Sequence, residues 1–225
     1  MNRAEAGSGR AQETRARDWE SFWQSRSRPT RISWAKKRIT AVLEEYLKPG
    51  LWILDAGSGS GFFSAYFLAC KCRVAALDYS EKALALTRDR TNGKAQAYLH
   101  QDLRDPEWAT AFSGRFDLVF SDGLLEHFGA LEQGLILKHL KTVIRPGGLV
   151  ASFVPNRYSW WRLVRPLVMR NIHEEPFTLL NLRALYRAQD LTIVQDGGLN
   201  VLPMGLSPEA RLGDRLGMLV YALGR

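Results

Sequence analysis

Leu54-Asp55-Ala56-Gly57-Ser58-Gly59-Ser60-Gly61 decides how the chain is read. Leu51 to Leu54 form a short apolar run, and Phe62 to Ala69 has a helical pattern, so the glycines lie on a strand-to-helix turn. Glycine admits backbone angles closed to other residues and lets a ligand approach the main chain. The free amides at the start of a helix favour polar or anionic ligand groups. A dinucleotide-binding loop would run Gly-x-Gly-x-x-Gly. Gly57 and Gly59 fit that pattern, but Phe62 stands where its third glycine belongs. The spacing is instead Gly-x-Gly-x-Gly preceded by Asp55, which counts against a nicotinamide oxidoreductase.

Working outward, strand-like and helical stretches alternate. Trp19 to Leu47 reads as helix, with Ile32, Ala35, Ile39, Val42, Leu43 and Tyr46 on one face and Lys48-Pro49-Gly50 as its stop. After the glycine turn and its helix, Arg73 to Leu77 is a second strand ending at Asp78. Ser80 caps a helix to about Asn92, with Gly93 as its stop. Strands follow at Ala95 to His100, Phe116 to Phe120 and Leu149 to Val154, spaced by helices at Pro106 to Phe112 and Ala130 to Val143. Arg145-Pro146-Gly147-Gly148 closes the latter helix. Leu179 to Gln189 is helical, and Leu191 to Gln195 and Met218 to Leu223 are strand-like. This alternation predicts an α/β, doubly wound, mostly parallel sheet with helices on both faces. The domain reading is a disordered tail over 1–15 and a single domain over 16–225. The domain carries an N-terminal helical cap over 16–48 and a lid over 157–177.

Two further carboxylates sharpen the glycine turn. Asp78 ends the second strand, where it could accept from both hydroxyls of a ribose or serve as a turn aspartate. Asp102 follows the third strand in His100-Gln101-Asp102-Leu103, where it could accept from an adenine amino group or sit in a turn. Three acids at the carboxyl ends of consecutive strands are harder to dismiss than one.

With LDAGSGSG at 54–61, Asp78, Asp102, FDLVFSDGLLEHF at 116–128 and IRPGG at 144–148, the chain resembles the class I, Rossmann-like methyltransferases that use S-adenosylmethionine. The resemblance runs in register over about residues 50–155. It implies a seven-stranded sheet whose last strand is antiparallel, with Met218 to Leu223 as that strand. It also implies that Asp55, Gly57, Ser58 and Gly59 lie against the methionine part of the cofactor. Asp78 would hold the ribose beside Tyr79, Asp102 and Leu103 would meet the adenine, and the Ser121 backbone would meet the cofactor's amino group.

Methyl transfer depends first on alignment of the acceptor. Alignment contributes about 7–11 kcal/mol, against roughly 10²–10⁴-fold from a general base. The candidate base is His127, just past the fourth strand, with a structural histidine as the alternative and Asp122 and Glu126 as weaker candidates. The lid offers flat apolar groups in Tyr158, Trp160 and Trp161 and polar ones in His173, Glu174 and Glu175, so it is the expected acceptor contact. The helical cap, with Trp19, Phe22, Trp23 and Trp34, is expected to cover the same pocket.

Composition sets the outer bounds. Within 225 residues, 46% hydrophobic, no apolar run reaches the length of about 18 that a membrane span needs. The polar N-terminus has no secretory h-region, so a cytoplasmic location is expected. Two cysteines, Cys70 and Cys72, lie too close to bridge and too few to hold zinc, and no metal is expected. The net charge of +8 fits a solvated surface; its functional alternative is an anionic partner.

The favoured reading is a methyltransferase acting on a small molecule. RNA or protein methylation is the alternative, although no Asn-Pro-Pro-aromatic signature follows the fourth strand. A non-catalytic cofactor-binding protein is a third reading. Peripheral membrane contact through Trp160 to Arg165 is a further expectation; oligomeric state is left open.

Overall fold

A computed structural model describes residues 20–24, 34–160, 174–202 and 208–225. The expected tail, Trp19 and residues 161–173, which hold Trp161, His173 and all of the basic aromatic run after Trp160, lie outside them.

A short helix over 20–24 is followed by α1 (Trp34–Glu44) and β1 (Trp52–Ala56). Then come α2 (Phe62–Ala69), β2 (Arg73–Asp78), α3 (Glu81–Arg90), β3 (Ala97–His100) and α4 (Pro106–Ala111). β4 (Phe116–Asp122) leads through a single 3-10 turn, Leu125–His127, into α5 (Ala130–Val143) and β5 (Ile144–Pro155). α6 (Leu179–Ala188), β6 (Ile193–Leu199), α7 (Glu209–Leu216) and β7 (Leu219–Gly224) complete the order.

The seven strands lie in the order β3-β2-β1-β4-β5-β7-β6. β1 to β5 pair in parallel, and β7 is antiparallel to both β5 and β6. This is the doubly wound, mostly parallel sheet with helices on both faces that the sequence predicts. The order reverses between β1 and β4, and an open α/β sheet forms its ligand crevice at that reversal, beyond the carboxyl ends of the strands.

Parallel strands are buried on both faces and read as continuous apolar runs. Ile53, Leu54 and Ala56 of β1 and Val74 to Leu77 of β2 are all fully buried. Their side chains alternate between two cores. Ile53, Val74, Leu118 and Phe120 pack with Ile39 and Leu43 of α1 and with Phe63 and Phe67 of α2. Leu54, Ala75, Leu77 and Val119 pack with Ile136, Leu137 and Leu140 of α5 and Leu182 and Tyr186 of α6.

The Ser80 cap is present, its Oγ accepting from the Ala83 amide at 3.2 Å. β5 differs from its expected start. The strand starts at Ile144, which pairs with Phe116, but Arg145-Pro146-Gly147-Gly148 bulge out and pairing resumes at Leu149 with Leu118. Gly148 makes this closeness tolerable: a Cβ on it would lie 3.0 Å from the carbonyl oxygens of Arg145 and Asp117. β6 runs on to Leu199, and α7 was not read from the sequence.

Candidate active site

The turn after β1 is built from three left-handed glycines at alternate positions, Gly57, Gly59 and Gly61, at φ 72°, 52° and 73°. It is fastened from both sides. The amides of Gly57 and Ser58 donate to the Leu77 carbonyl at 2.8 and 3.0 Å. On α3, Thr87 donates its hydroxyl to the Gly59 carbonyl at 3.1 Å. A Cβ on Gly61 would lie 2.6 Å from the Thr87 Cα, so only glycine lets α2 start this close to α3.

Asp78 closes the turn. Its Oδ2 accepts the Gly59 amide at 2.8 Å and its Oδ1 accepts the Ser80 amide at 2.9 Å. Burial raises the Asp78 pKa above the ordinary carboxylate value, partly offset by the amides of Ser80 and Gly59. Asp55 lies deeper, 2% exposed, and accepts the Ser64 hydroxyl at 2.6 Å. Burial pushes it up to about 7, against the pull of the Ser64 hydrogen bond and with Asp78 adding to the rise. Burial likewise raises Asp122, at the end of β4, to about 6, with Lys36 opposing.

A cavity of about 350 Å³ opens above these groups, within the range of small-molecule sites. Asp55, Gly57, Ser58, Gly59, Asp78, Tyr79, Asp102, Leu103 and His127 all line it. Asp102 carries an addition: Arg104 grips both of its oxygens, at 2.6 Å from Nη2 to Oδ2 and 3.0 Å from Nε to Oδ1, and also reaches Glu132 at 2.9 Å. The opposite wall holds Glu126, His127 and Glu174, with His127 Nε2 3.7 Å from Glu126 Oε1. From the cap, Phe22 and Trp23 also line the cavity. The Trp23 ring lies on the glycine turn, 2.8 Å from where a Cβ on Gly59 would stand. Glu20 ties this short helix down by accepting the Ser80 hydroxyl at 2.6 Å.

Three expected residues stand elsewhere or partly so. Ser121 is 1% exposed and absent from the lining; its hydroxyl donates to Ser152 at 3.2 Å, while its neighbours Phe120 and Asp122 face the cavity. Tyr158 and Trp160 line a separate open hollow with Val201, Leu202 and Leu216, and the Trp160 indole donates to the Val201 carbonyl at 3.0 Å.

Lys36 was missed. Its ammonium stands 4.4 Å from the Phe62 ring centroid inside the cavity. Burial lowers its pKa, with Asp122 opposing. The signal was there: Lys36 shares a helical stripe with Ile39 and Leu43, at spacings of three and seven, so a cation lies on the buried face.

The comparisons fit this geometry. Residues 53–148 match the family described as a methyltransferase domain. A malonyl-[acyl-carrier protein] O-methyltransferase of Enterobacter lignolyticus is 31% identical over 151 residues, 63% of this chain and 57% of that protein. A ubiquinone biosynthesis O-methyltransferase of Aromatoleum aromaticum is 28% identical over 129 residues, 57% of this chain and 51% of that protein. The chain thus spans about half the length of these curated relatives. Among solved structures, the 1,6-didemethyltoxoflavin-N1-methyltransferase of Burkholderia thailandensis, with its substrate and S-adenosylhomocysteine bound, superposes with a TM-score of 0.66 at 20% identity. That match covers 100% of this chain and 90% of the other.

The sheet order and the turn have the fold of class I, Rossmann-like, S-adenosylmethionine-dependent methyltransferases, and residues 53–148 match a methyltransferase domain. The residues present suit that cofactor. The positive-φ glycines leave the turn without side chains, Asp78 stands at its rim, and three acids and a lysine offer counter-charges for a zwitterionic, sulfonium-bearing ligand. Among the described residues, no helix is long and apolar enough to cross a membrane.

Proposed function

We propose that this chain transfers a methyl group from S-adenosylmethionine to an oxygen of a small-molecule acceptor. The carrying observation is that one cavity joins the Asp78-closed glycine turn to a second polar wall at Glu126, His127 and Glu174. Such a cavity has room for a cofactor at one end and an acceptor at the other. The choice of oxygen follows the relatives, whose names describe O-methyltransferases.

In this reading the cofactor supplies the activated carbon and the leaving group, and the protein supplies alignment. Asp78 holds the ribose hydroxyls with the lone pairs left after the two amides are bound. The turn of Gly57, Ser58 and Gly59, with Asp55 beneath it, seats the methionine portion, and the Lys36 ammonium faces its carboxylate. Tyr79, Leu103 and Asp102 border the adenine. Phe22 and Trp23 exclude water from the turn. His127 faces the acceptor and helps its nucleophilic oxygen lose a proton.

The test is incubation with methyl-labelled cofactor and pools of carboxylic acids, acyl thioesters and phenols, followed by mass spectrometry. A gain of one labelled methyl on oxygen is expected. Labelling confined to nitrogen or carbon would refute the oxygen assignment, and failure to bind S-adenosylhomocysteine would refute the whole reading.

A further inference from the structure

The wall opposite the glycine turn has a composition that simple acceptor packing does not require. Glu126 and His127 come from the 3-10 turn after β4, and Glu174 comes from the segment leading to α6. One ligand-capable atom from each of the three lies within 4.8 Å of the other two. All three side chains line the cavity, and Glu126 is 1% exposed. The two segments are joined by their backbones: the Glu175 amide donates to the Glu126 carbonyl at 2.6 Å. This bond holds the segment that carries Glu174 against the turn that carries Glu126 and His127.

Two carboxylates drawn toward one imidazole, one of them buried, repel one another, and a dication between them reverses the sign of that interaction. One nitrogen and two carboxylate donors suit Zn²⁺ or Mn²⁺, whereas Mg²⁺ favours oxygen ligands and keeps its waters. Three protein ligands on a cavity wall leave coordination positions open toward the cavity, as in catalytic metal sites and unlike closed structural ones.

We propose that Glu126, His127 and Glu174 bind a divalent cation, Zn²⁺ or Mn²⁺, that holds and acidifies an oxygen of the methyl acceptor. This rests on the methyltransferase reading of the cavity and specifies its acceptor end. His127 then assists proton loss as a ligand. An acceptor hydroxyl on the cation releases its proton to water at a lower pH than it would alone, as metal-bound water does. The class of acceptor favoured is one that offers two adjacent oxygens, such as a carboxylate or a vicinal diol or diphenol, because the open positions can take both.

The test uses the full chain, stripped with a chelator and titrated with Mn²⁺ or Zn²⁺ by calorimetry. Saturable binding at one site is expected, weakened by roughly 10–100-fold or more in His127→Ala and in Glu174→Gln. S-adenosylhomocysteine is titrated into the same stripped samples and is expected to bind all of them, which also certifies that each variant is folded. Should either variant fail to fold, Mn²⁺ is added to wild-type protein labelled on its 4 histidines, and selective broadening of one imidazole signal is expected. No saturable binding of either ion, equal affinity in folded variants, or absence of selective broadening would each overturn the cation site. Loss of S-adenosylhomocysteine binding by the stripped wild type would instead overturn the methyltransferase reading beneath it.

Discussion

Replacing Asp78 with alanine separates the two jobs assigned to this carboxylate. In the folded protein it accepts amides from Gly59 and Ser80 at 2.8 and 2.9 Å. Hydrogen bonds to a charged group contribute about 1.5–3 kcal/mol each, so two at the low end give about 3 kcal/mol. Burial works against this, as the raised pKa of Asp78 shows, and the variant recovers that desolvation cost. A net destabilisation of about 1–2 kcal/mol is therefore expected in urea unfolding. Ligand affinity should suffer more. Two hydroxyl contacts at the same low value amount to about 3 kcal/mol, or roughly 100-fold in Kd. Calorimetry with S-adenosylhomocysteine measures this directly. A second titration with the 2′-deoxy analogue completes a cycle, in which the variant should discriminate less between the two ligands than wild type does. An affinity within about threefold of wild type, in a variant that stays folded, would refute the ribose assignment.

Gly61→Ala adds a Cβ 2.6 Å from the Thr87 Cα at a φ of 73°, and should cost about 2–3 kcal/mol of stability in urea unfolding; an unchanged midpoint would contradict the packing argument. Asp55 has a folded pKa raised from 3.8 to about 7, so between these values the folded state holds a proton that the unfolded state has lost. Stability therefore falls as pH rises through that window, by up to about 4 kcal/mol, and Asp55→Asn should flatten the slope in urea titrations run from pH 4 to 8. His127→Ala should lower kcat by roughly 10²–10⁴-fold while leaving S-adenosylhomocysteine affinity nearly unchanged; full turnover at saturating acceptor would remove His127 from the chemistry.

The parts of the fold that were legible are those where local chemistry and tertiary demand agree. Leu51 to Leu54 and Arg73 to Asp78 are short apolar runs with no competing helical period, and Ser80 and Gly93 mark the ends of α3 in the ordinary way. The start of β5 was not legible. Proline and paired glycines signal a turn, and Arg145 to Gly148 do bulge out of the pairing, yet Ile144 before them already pairs with Phe116, so the strand begins earlier than the apolar run Leu149 to Val154. α7 was hidden for another reason: its helix packs on β6 through Gly213 against Gly198, a backbone contact that no apolar periodicity announces.

At the site, Asp55, Asp78 and the glycines were readable because strand ends in such a sheet converge by topology. Lys36 is readable only through its helical stripe with Ile39 and Leu43, which sets it apart from the neighbouring Lys37 and places it inside. Arg104 was missed for a similar reason: a charge two residues after Asp102 reads as solvated until Glu132 of α5 draws it inward. The Ser121 side chain has a structural task of its own, separate from the backbone contact the resemblance implies. Strand alternation sends its hydroxyl to Ser152 and, through it, to Tyr186, which holds the far side of β4 and β5.

β7 gives the sheet a seam. Residues 219–224 join β5 on one side to β6 on the other, although β5 precedes them by far in the chain. Until they dock, β5 offers an open row of amides and carbonyls flanked by Val150, Ala151, Phe153 and Val154, which suits pairing with a second copy of itself. Clipping or delayed release of this stretch should thus lead to sticky, misassembled species before any loss of the glycine turn is felt. Kinetic traps in refolding are expected to cluster at this late, long-range closure.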